Sequence, residues 1–245
     1  MSESQNPYMA PRSDVSQPDS VVGGSIEATL AGQGQLEVGA VMSEAWDKLK
    51  GSKRILLGGF VLLYALLFVA VAGLGGVLAA FGINQNASVL LQIMIQLLVV
   101  VVLYPFMASV ILVAARHMTG GQIAFADLFG SYGKAGKLVG AGLLVQLLTI
   151  VGFLLLIVPG IYLSVAYMLT GALIAERDMG IWQAMETSRK LVTKHWLTVF
   201  LIGLLVGLVT VVSALFLLIP LIWTLPWGLL CIGVVYRNLV GVRAR

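Results

Sequence analysis

Along this chain the apolar positions gather into three long runs, residues 55–115, 138–175 and 196–236, none of which contains an Asp, Glu, Lys or Arg. Each is too long for one membrane helix. As a single helix, residues 138–175 would extend about 57 Å, nearly twice the hydrocarbon core of a bilayer, so the chain must fold back. The expected hinge is Pro159-Gly160, in LLLIVPGIYLSVAYML. Proline lacks an amide proton and crowds the preceding turn, and glycine accepts left-handed geometry. The uncharged part of the second leg, residues 161–175, is then only about 23 Å long, which implies a turn that packs against neighbouring helices. The run 55–115 divides at the polar GINQNAS, residues 82–88, and the run 196–236 near Pro220, with Pro226 kinking the last helix. Six spans follow, at about 55–81, 88–115, 138–158, 161–176, 196–219 and 221–240.

The polar intervals have a pattern of their own. Val38, Val41, Met42, Ala45, Trp46 and Leu49 recur at helical spacing, with Glu44, Asp47, Lys48 and Lys50 on the opposite face. Phe125, Leu128, Phe129 and Tyr132 form a second apolar stripe, and Ile181, Ala184, Met185, Leu191, Val192 and Trp196 a third. Each ends in a basic cluster: Lys48, Lys50, Lys53 and Arg54, then Lys134 and Lys137, then Arg189, Lys190 and Lys194. Pro105 precedes Arg116 by eleven residues, and Pro226 precedes Arg237 by the same interval. The fold class is therefore an all-α integral membrane protein, with six transmembrane helices arranged as three repeated units of interfacial amphipathic helix plus hairpin. The basic clusters are candidate contacts for anionic lipid headgroups. A plain connecting role, with the apolar stripe covering the bundle, is the competing reading.

Composition and charge sharpen this picture. Of 245 residues, 59% are hydrophobic and 11% charged, against about 25% charged in soluble domains. Six spans bring both termini to one side with the loops at 116–137 and 176–195, and all fifteen Lys and Arg fall there. The positive-inside rule makes that side cytoplasmic. The start, MSESQNPYMAP, has neither the basic region nor the apolar core of a signal peptide. Residues 1–40 hold five acids against one Arg and are rich in Ser, Gln, Gly and Pro. Residues 1–37 are thus expected to be a disordered cytoplasmic tail, and residues 38–245 the membrane domain.

Candidate chemistry is sparse. His117 and His195 are the only histidines and read as surface residues, since no Cys or acid cluster completes a metal site. Cys231 is alone and reads as packing. Glu176, Arg177 and Asp178 mark the point where a short helix returns to water. No nucleotide-binding, metalloprotease or serine-hydrolase motif occurs. The expected protein is accordingly not an enzyme, with no catalytic residue, cofactor or metal. Gln92, Gln96, Tyr162 and Tyr167 are candidate intramembrane polar contacts, with packing between helices favoured over a polar path. Gly136-x-x-x-Gly140, Gly203-x-x-x-Gly207 and Ala72-x-x-x-Gly76 let helices approach closely. Internal packing is their expected use, and a homo-oligomer their second.

From VPGIYLSVAYML through ERDMGIWQAMETSRKLVTKHW the chain resembles the membrane-domain family found in some glycerophosphoryl diester phosphodiesterases and in stand-alone bacterial and archaeal proteins. The residues carrying the likeness are Pro159, Gly160, Ile161, Tyr162, Ala166 and Tyr167, then Ala184, Ser188 and Leu191. The likeness covers about residues 38–240. It implies a six-helix protein of the bacterial inner membrane and carries over no catalytic residue, because phosphodiester hydrolysis belongs to an appended soluble barrel that these residues lack. The expected function is non-enzymatic, organising protein partners or anionic lipids at the cytoplasmic face, with no nucleic acid involved. The alternative is a pore or transporter for a neutral or amphipathic solute. An intramembrane enzyme comes last.

Overall fold

Where water is excluded, backbone groups must pair within their own segment, and the long uncharged runs do so as helices. The computed structural model describes residues 21–80, 89–216 and 219–243. Residues 1–20 of the expected tail and the expected polar turn at 82–88 lie outside the described residues. In chain order the elements are β1 (Val21–Val22), α1 (Ile26–Leu30), α2 (Val38–Asp47), α3 (Lys53–Ala80), α4 (Val89–Met118), a 3-10 segment (Phe125–Lys134), α5 (Ala135–Leu155), α6 (Ile157–Ala166), α7 (Thr170–Arg177), α8 (Ile181–Lys194), α9 (Trp196–Leu215), α10 (Leu221–Val240) and β2 (Val242–Arg243).

Five helical stretches among the described residues are long and apolar enough to cross a membrane: Lys53–Val77, Gln92–Met118, Phe125–Leu155, Ile157–Arg177 and Trp196–Leu215. Their outward faces are apolar, with Phe68, Leu154 and Leu215 at 74%, 80% and 78% exposure. Patches of this kind fit hydrocarbon and not water, and the chain is a multi-pass helical membrane protein. α10 is not among the five. Trp223, Thr224, Pro226, Trp227, Arg237 and Asn238 dilute its apolar character. It can carry them because it faces protein: twelve of its twenty residues are buried. A Cβ on Gly233 would stand 2.7 Å from the Ala114 backbone, so α10 touches α4 nearly backbone to backbone, and one on Gly228 would stand 2.6 Å from the Val206 side chain of α9.

The fold-back within residues 138–175 is real but lies elsewhere. α5 ends at Leu155, Leu156 is extended at φ −163° and ψ 153°, and α6 begins at Ile157. Pro159 sits in the first turn of α6, where a missing amide proton costs nothing. Gly160 takes helical geometry and serves close packing instead. A Cβ there would stand 2.3 Å from the Phe153 ring, and one on Gly152 would stand 3.1 Å from the Gly160 backbone. The earlier start also lengthens the expected short leg: residues 157–177 would reach about 32 Å as one unbroken helix.

That leg has a second break. α6 closes at Ala166 and α7 opens at Thr170, leaving backbone groups between them without helical partners. The buried Ser188 of α8 supplies both needs: its hydroxyl donates to the Ala166 carbonyl at 2.7 Å and accepts from the Leu169 amide at 3.3 Å.

The second half of the expected tail is also structured. β1 pairs antiparallel with β2, Val21 opposite Arg243 and Val22 opposite Val242. Ser25 caps α1, and the Thr29 hydroxyl donates to the Leu239 carbonyl at 2.8 Å. Backbone approach is tight here as well, since a Cβ on Gly24 would overlap the Asn238 carbonyl.

Two contacts depart from six upright helices. Lys53, at the start of α3, lies 5.2 Å from the ring of Trp223, at the start of α10. Tyr162, five residues past the break, pairs with Thr193 at 2.8 Å and lies beside the ring of Trp196. In a strictly upright bundle both pairs would stand at opposite faces, roughly 30 Å apart. α6 and the first turns of α10 therefore lean back toward the α2–α3 and α8–α9 junctions.

Replacing Ser188 by Ala is expected to strand two buried backbone groups, at about 1–3 kcal/mol for each. The melting temperature in detergent should fall clearly. Ser43→Ala, which removes only an exposed bond to Ala40 within α2, should leave it unchanged.

Candidate functional site

The chain's chemistry collects where both described ends meet the helix termini. α2 and α8 lay their stripes on protein: Val41, Ala45 and Leu49 are buried, as are Ala184, Met185, Leu191 and Val192. Trp46 and Trp182 do not join them, at 55% and 68% exposure. The second stripe, expected as an amphipathic helix, is a 3-10 segment that buries Leu128 and Ser131. The apolar stripes therefore rest on the bundle, and the basic residues bind inward as well as outward.

Lys48 Nζ donates to the carbonyl of Met118, the last residue of α4, and His117 Nε2 faces the Lys48 carbonyl at 2.8 Å, which requires the proton on that nitrogen. Lys134 Nζ donates to the Ala175 carbonyl at 3.0 Å in the last turn of α7. A cation at a helix C-terminus both bonds the orphan carbonyl and opposes the helix dipole. Lys134 and Lys137 share Asp178 at 3.4 and 3.0 Å, and this holds the exposed Asp178 carboxyl below the usual range, the Lys137 hydrogen bond contributing most. Arg189 donates to Glu186 through Nε and Nη2 at 2.9 and 2.8 Å, and that contact, with Lys190 behind it, brings the Glu186 carboxyl down to about 2. Lys50, Arg54 and Lys194 are exposed and have no counter-ion among the described residues.

Other charged residues serve the fold. Glu44 of α2 grips Arg237 of α10 through both carboxylate oxygens, and Arg237 also donates to the Met118 carbonyl. Glu176 and Arg177, expected to return to water, are held inside: the Glu176 side chain is 3% exposed. Tyr236 donates to Glu176 at 2.6 Å, the Arg243 amide at 3.1 Å, and Arg177 reaches the Val240 and Gly241 carbonyls. Only Asp178 of that trio faces solvent, in left-handed geometry. The Nε2 of His195 is buried near Gly34 with no partner among the described residues, so this histidine is not the surface residue expected. Among the described residues no group of three His, Cys, Asp or Glu side chains could hold a metal ion.

The four intramembrane candidates are not brought together. Gln92 and Gln96 are exposed near the start of α4, about 28 Å or more from Ala115, which places them at the far headgroup level. Tyr162 pairs with Thr193, and Tyr167 lines a small cavity of about 140 Å³. The expected glycine contacts also divide. Gly140 meets Ile181, but nothing stands within 4 Å of a Cβ on Gly76, Gly136, Gly203 or Gly207. The α9 pair faces outward, contrary to the expected internal role. Close approaches between helices instead use Gly142, Gly228 and Gly233, which no spaced motif marks.

Two features had no sequence signal. A cleft of about 610 Å³ lies between the chain ends, lined by Gly23, Gly24, Ser25, Thr119, Arg237 and Asn238 among others. A groove of about 500 Å³ opens between α4, α5 and α6, largely apolar, with Tyr104, Gln146, Thr149 and Ser164 in its wall. No family model matches the chain, and no curated protein or solved structure matches it either.

The Arg237 hydrogen bonds hold the Glu44 carboxyl below its ordinary value, against a smaller opposing effect of burial. A carboxylate depressed in the folded state stabilises above its unfolded value and loses that contribution as pH falls through the folded one. Stability should therefore decline below about pH 4.3. Glu44→Gln should melt lower at neutral pH and show a shallower acid decline, measured by thermal unfolding across pH 3–7.

Proposed function

We propose that this protein is a non-enzymatic organiser at the cytoplasmic face of a bacterial inner membrane, holding anionic lipids or a membrane-associated protein partner on its basic face. The observation that carries the reading is the residual charge. Lys50, Arg54 and Lys194 stay exposed and without counter-ions among the described residues, and Glu44, Asp178 and Glu186 are each shared by two cations, so the face keeps a positive excess. Anionic headgroups suit such cations at about 1 kcal/mol each. The outward glycines of α9 leave room for a second copy of the chain.

The six-span topology belongs to the same proposal. Pairing of β1 with β2 brings residues 21 and 243 to one side, which requires an even number of crossings. If the five apolar stretches all cross, α10 must cross too. α4 and α10 run side by side in one direction, with Gly233 against Ala114, Arg237 against Met118 and a proline upstream in each helix, an arrangement compatible with a repeated unit. The resemblance to the phosphodiesterase membrane domains stays within this proposal and brings no activity with it.

Two measurements test it. With Cys231 replaced by Ser, single cysteines at Gln35 and Asn86 should label from opposite sides with an impermeant reagent, and Leu156→Cys should label with Asn86. Labelling of Gln35→Cys from outside would overturn the orientation, and protection of Leu156→Cys from both sides would reduce the α5–α6 pair to a shallow hairpin. Changing Lys50, Arg54 and Lys194 to Gln should cost about 3 kcal/mol of preference for anionic lipid. Native mass spectrometry of protein released from mixed nanodiscs would read this as lost bound phosphatidylglycerol. Unchanged retention would remove the lipid part of the proposal.

A further inference from the structure

The groove between α4, α5 and α6 is unlike the rest of the lipid-facing surface. Tyr104 lies twelve residues before Arg116, about 18 Å along α4, so its ring sits near the middle of a 30 Å core. Its place is fixed by two glycines. A Cβ on Gly142 would stand 2.7 Å from the Tyr104 ring, and one on Gly171 3.3 Å. Gln146 and Thr149 of α5 share the same wall. Among the described residues the Tyr104 hydroxyl, the Gln146 amide and the Thr149 hydroxyl have no hydrogen-bond partner. Polar groups at this depth find no water, and leaving them unpaired is costly. A smaller cavity continues the groove past Tyr104, Val145 and Ser164 toward Tyr167.

We infer that this groove binds a neutral amphiphile of the bilayer, with a hydroxyl or ester head on Tyr104, Gln146 and Thr149 and an apolar chain along α4 and α5. The lining dictates the class. It holds no charged side chain, so nothing there compensates a phosphate or an ammonium. A charged head would also have to leave its interface and sink about 15 Å, at a cost that a neutral glyceride-like lipid does not meet. Phenol, amide and hydroxyl together donate and accept, as a hydroxyl-bearing ester requires. The volume of about 500 Å³ falls within the usual range for small-ligand sites. This goes beyond the proposed role of the basic face and does not depend on it.

The test uses the full-length protein in nanodiscs. One probe is a diacylglycerol with a diazirine and an alkyne on one chain, and the other a phosphatidylcholine carrying the same chain. On illumination the diacylglycerol should label residues 99–107 and 142–153 at least fivefold more than the phosphatidylcholine. Tyr104→Phe with Gln146→Leu keeps the shape of the groove and should bring the first probe down to the level of the second. Equal labelling by both probes would overturn the inference, as would labelling that the double substitution does not change. If the double variant melts early, competition on the native protein decides instead. Unlabelled diacylglycerol should then suppress labelling of the groove, and undiminished labelling would overturn the inference.

Discussion

A backbone amide or carbonyl in hydrocarbon has no solvent to turn to, and several helix breaks and ends among the described residues are answered by a side chain from another element. The α6–α7 break is answered by Ser188. Near Pro105 in α4, the Tyr132 hydroxyl donates to the Val102 carbonyl at 2.7 Å. The ends of α4 and α7 are answered by Lys48 and Lys134. This requirement gives the amphipathic segments a physical task. They supply donors to helix ends that the membrane helices themselves leave open, and burying an apolar stripe on the bundle aligns those donors.

The same constraint explains the ionic clamps. Arg237 and Arg177 stand where α10 ends, with side chains only 15% exposed. A charge so placed is costly unless paired. Glu44 and Glu176 pair them: Glu44 joins α2 to α10 through Arg237, and Glu176, beside Arg177 in α7, also accepts the Arg243 amide of the C-terminal strand. The N-terminal segment then closes over this assembly through β1 and Thr29. Helix capping, charge pairing and the joining of the chain ends thus meet in one layer, and the lipid-facing helices hang from it.

The sequence made the helical membrane class legible, because charge is excluded over three runs, and it located most of each buried stripe in α2 and α8. It misplaced the fold-back by three residues for a reason specific to Pro159 and Gly160. A proline is as welcome in the first turn of a helix as in the hinge before it, and glycine serves close packing as readily as left-handed geometry. Only the ring of Phe153 against Gly160 decides between them. Glu176 and Arg177 misled because their partners, Tyr236, Val240 and Arg243, lie some sixty residues away. Residues 21–36 read as tail because Gly23, Gly24 and Gly34 lower their apolar content. Those glycines are there to let the segment lie against Arg237, Asn238 and His195. The groove had no periodicity to betray it, since its wall comes from three helices.

Polar side chains inside this protein fall into two groups, and the division bears on what the groove is. Ser109 donates to Ser131 at 2.7 Å, Ser188 and Tyr132 bond backbone, and Tyr236 bonds Glu176, so polar groups that serve packing are paired. Packing alone would pair Tyr104 and Gln146 in the same way, across a helix interface, at about 0.6–2 kcal/mol for each bond. They instead share one cavity wall, without a hydrogen-bond partner among the described residues. Apolar side chains would fill that space more stably. A cluster of unpaired neutral donors and acceptors at mid-bilayer depth is therefore evidence of a requirement other than stability, and a polar, uncharged head brought in from the bilayer is a requirement of that kind.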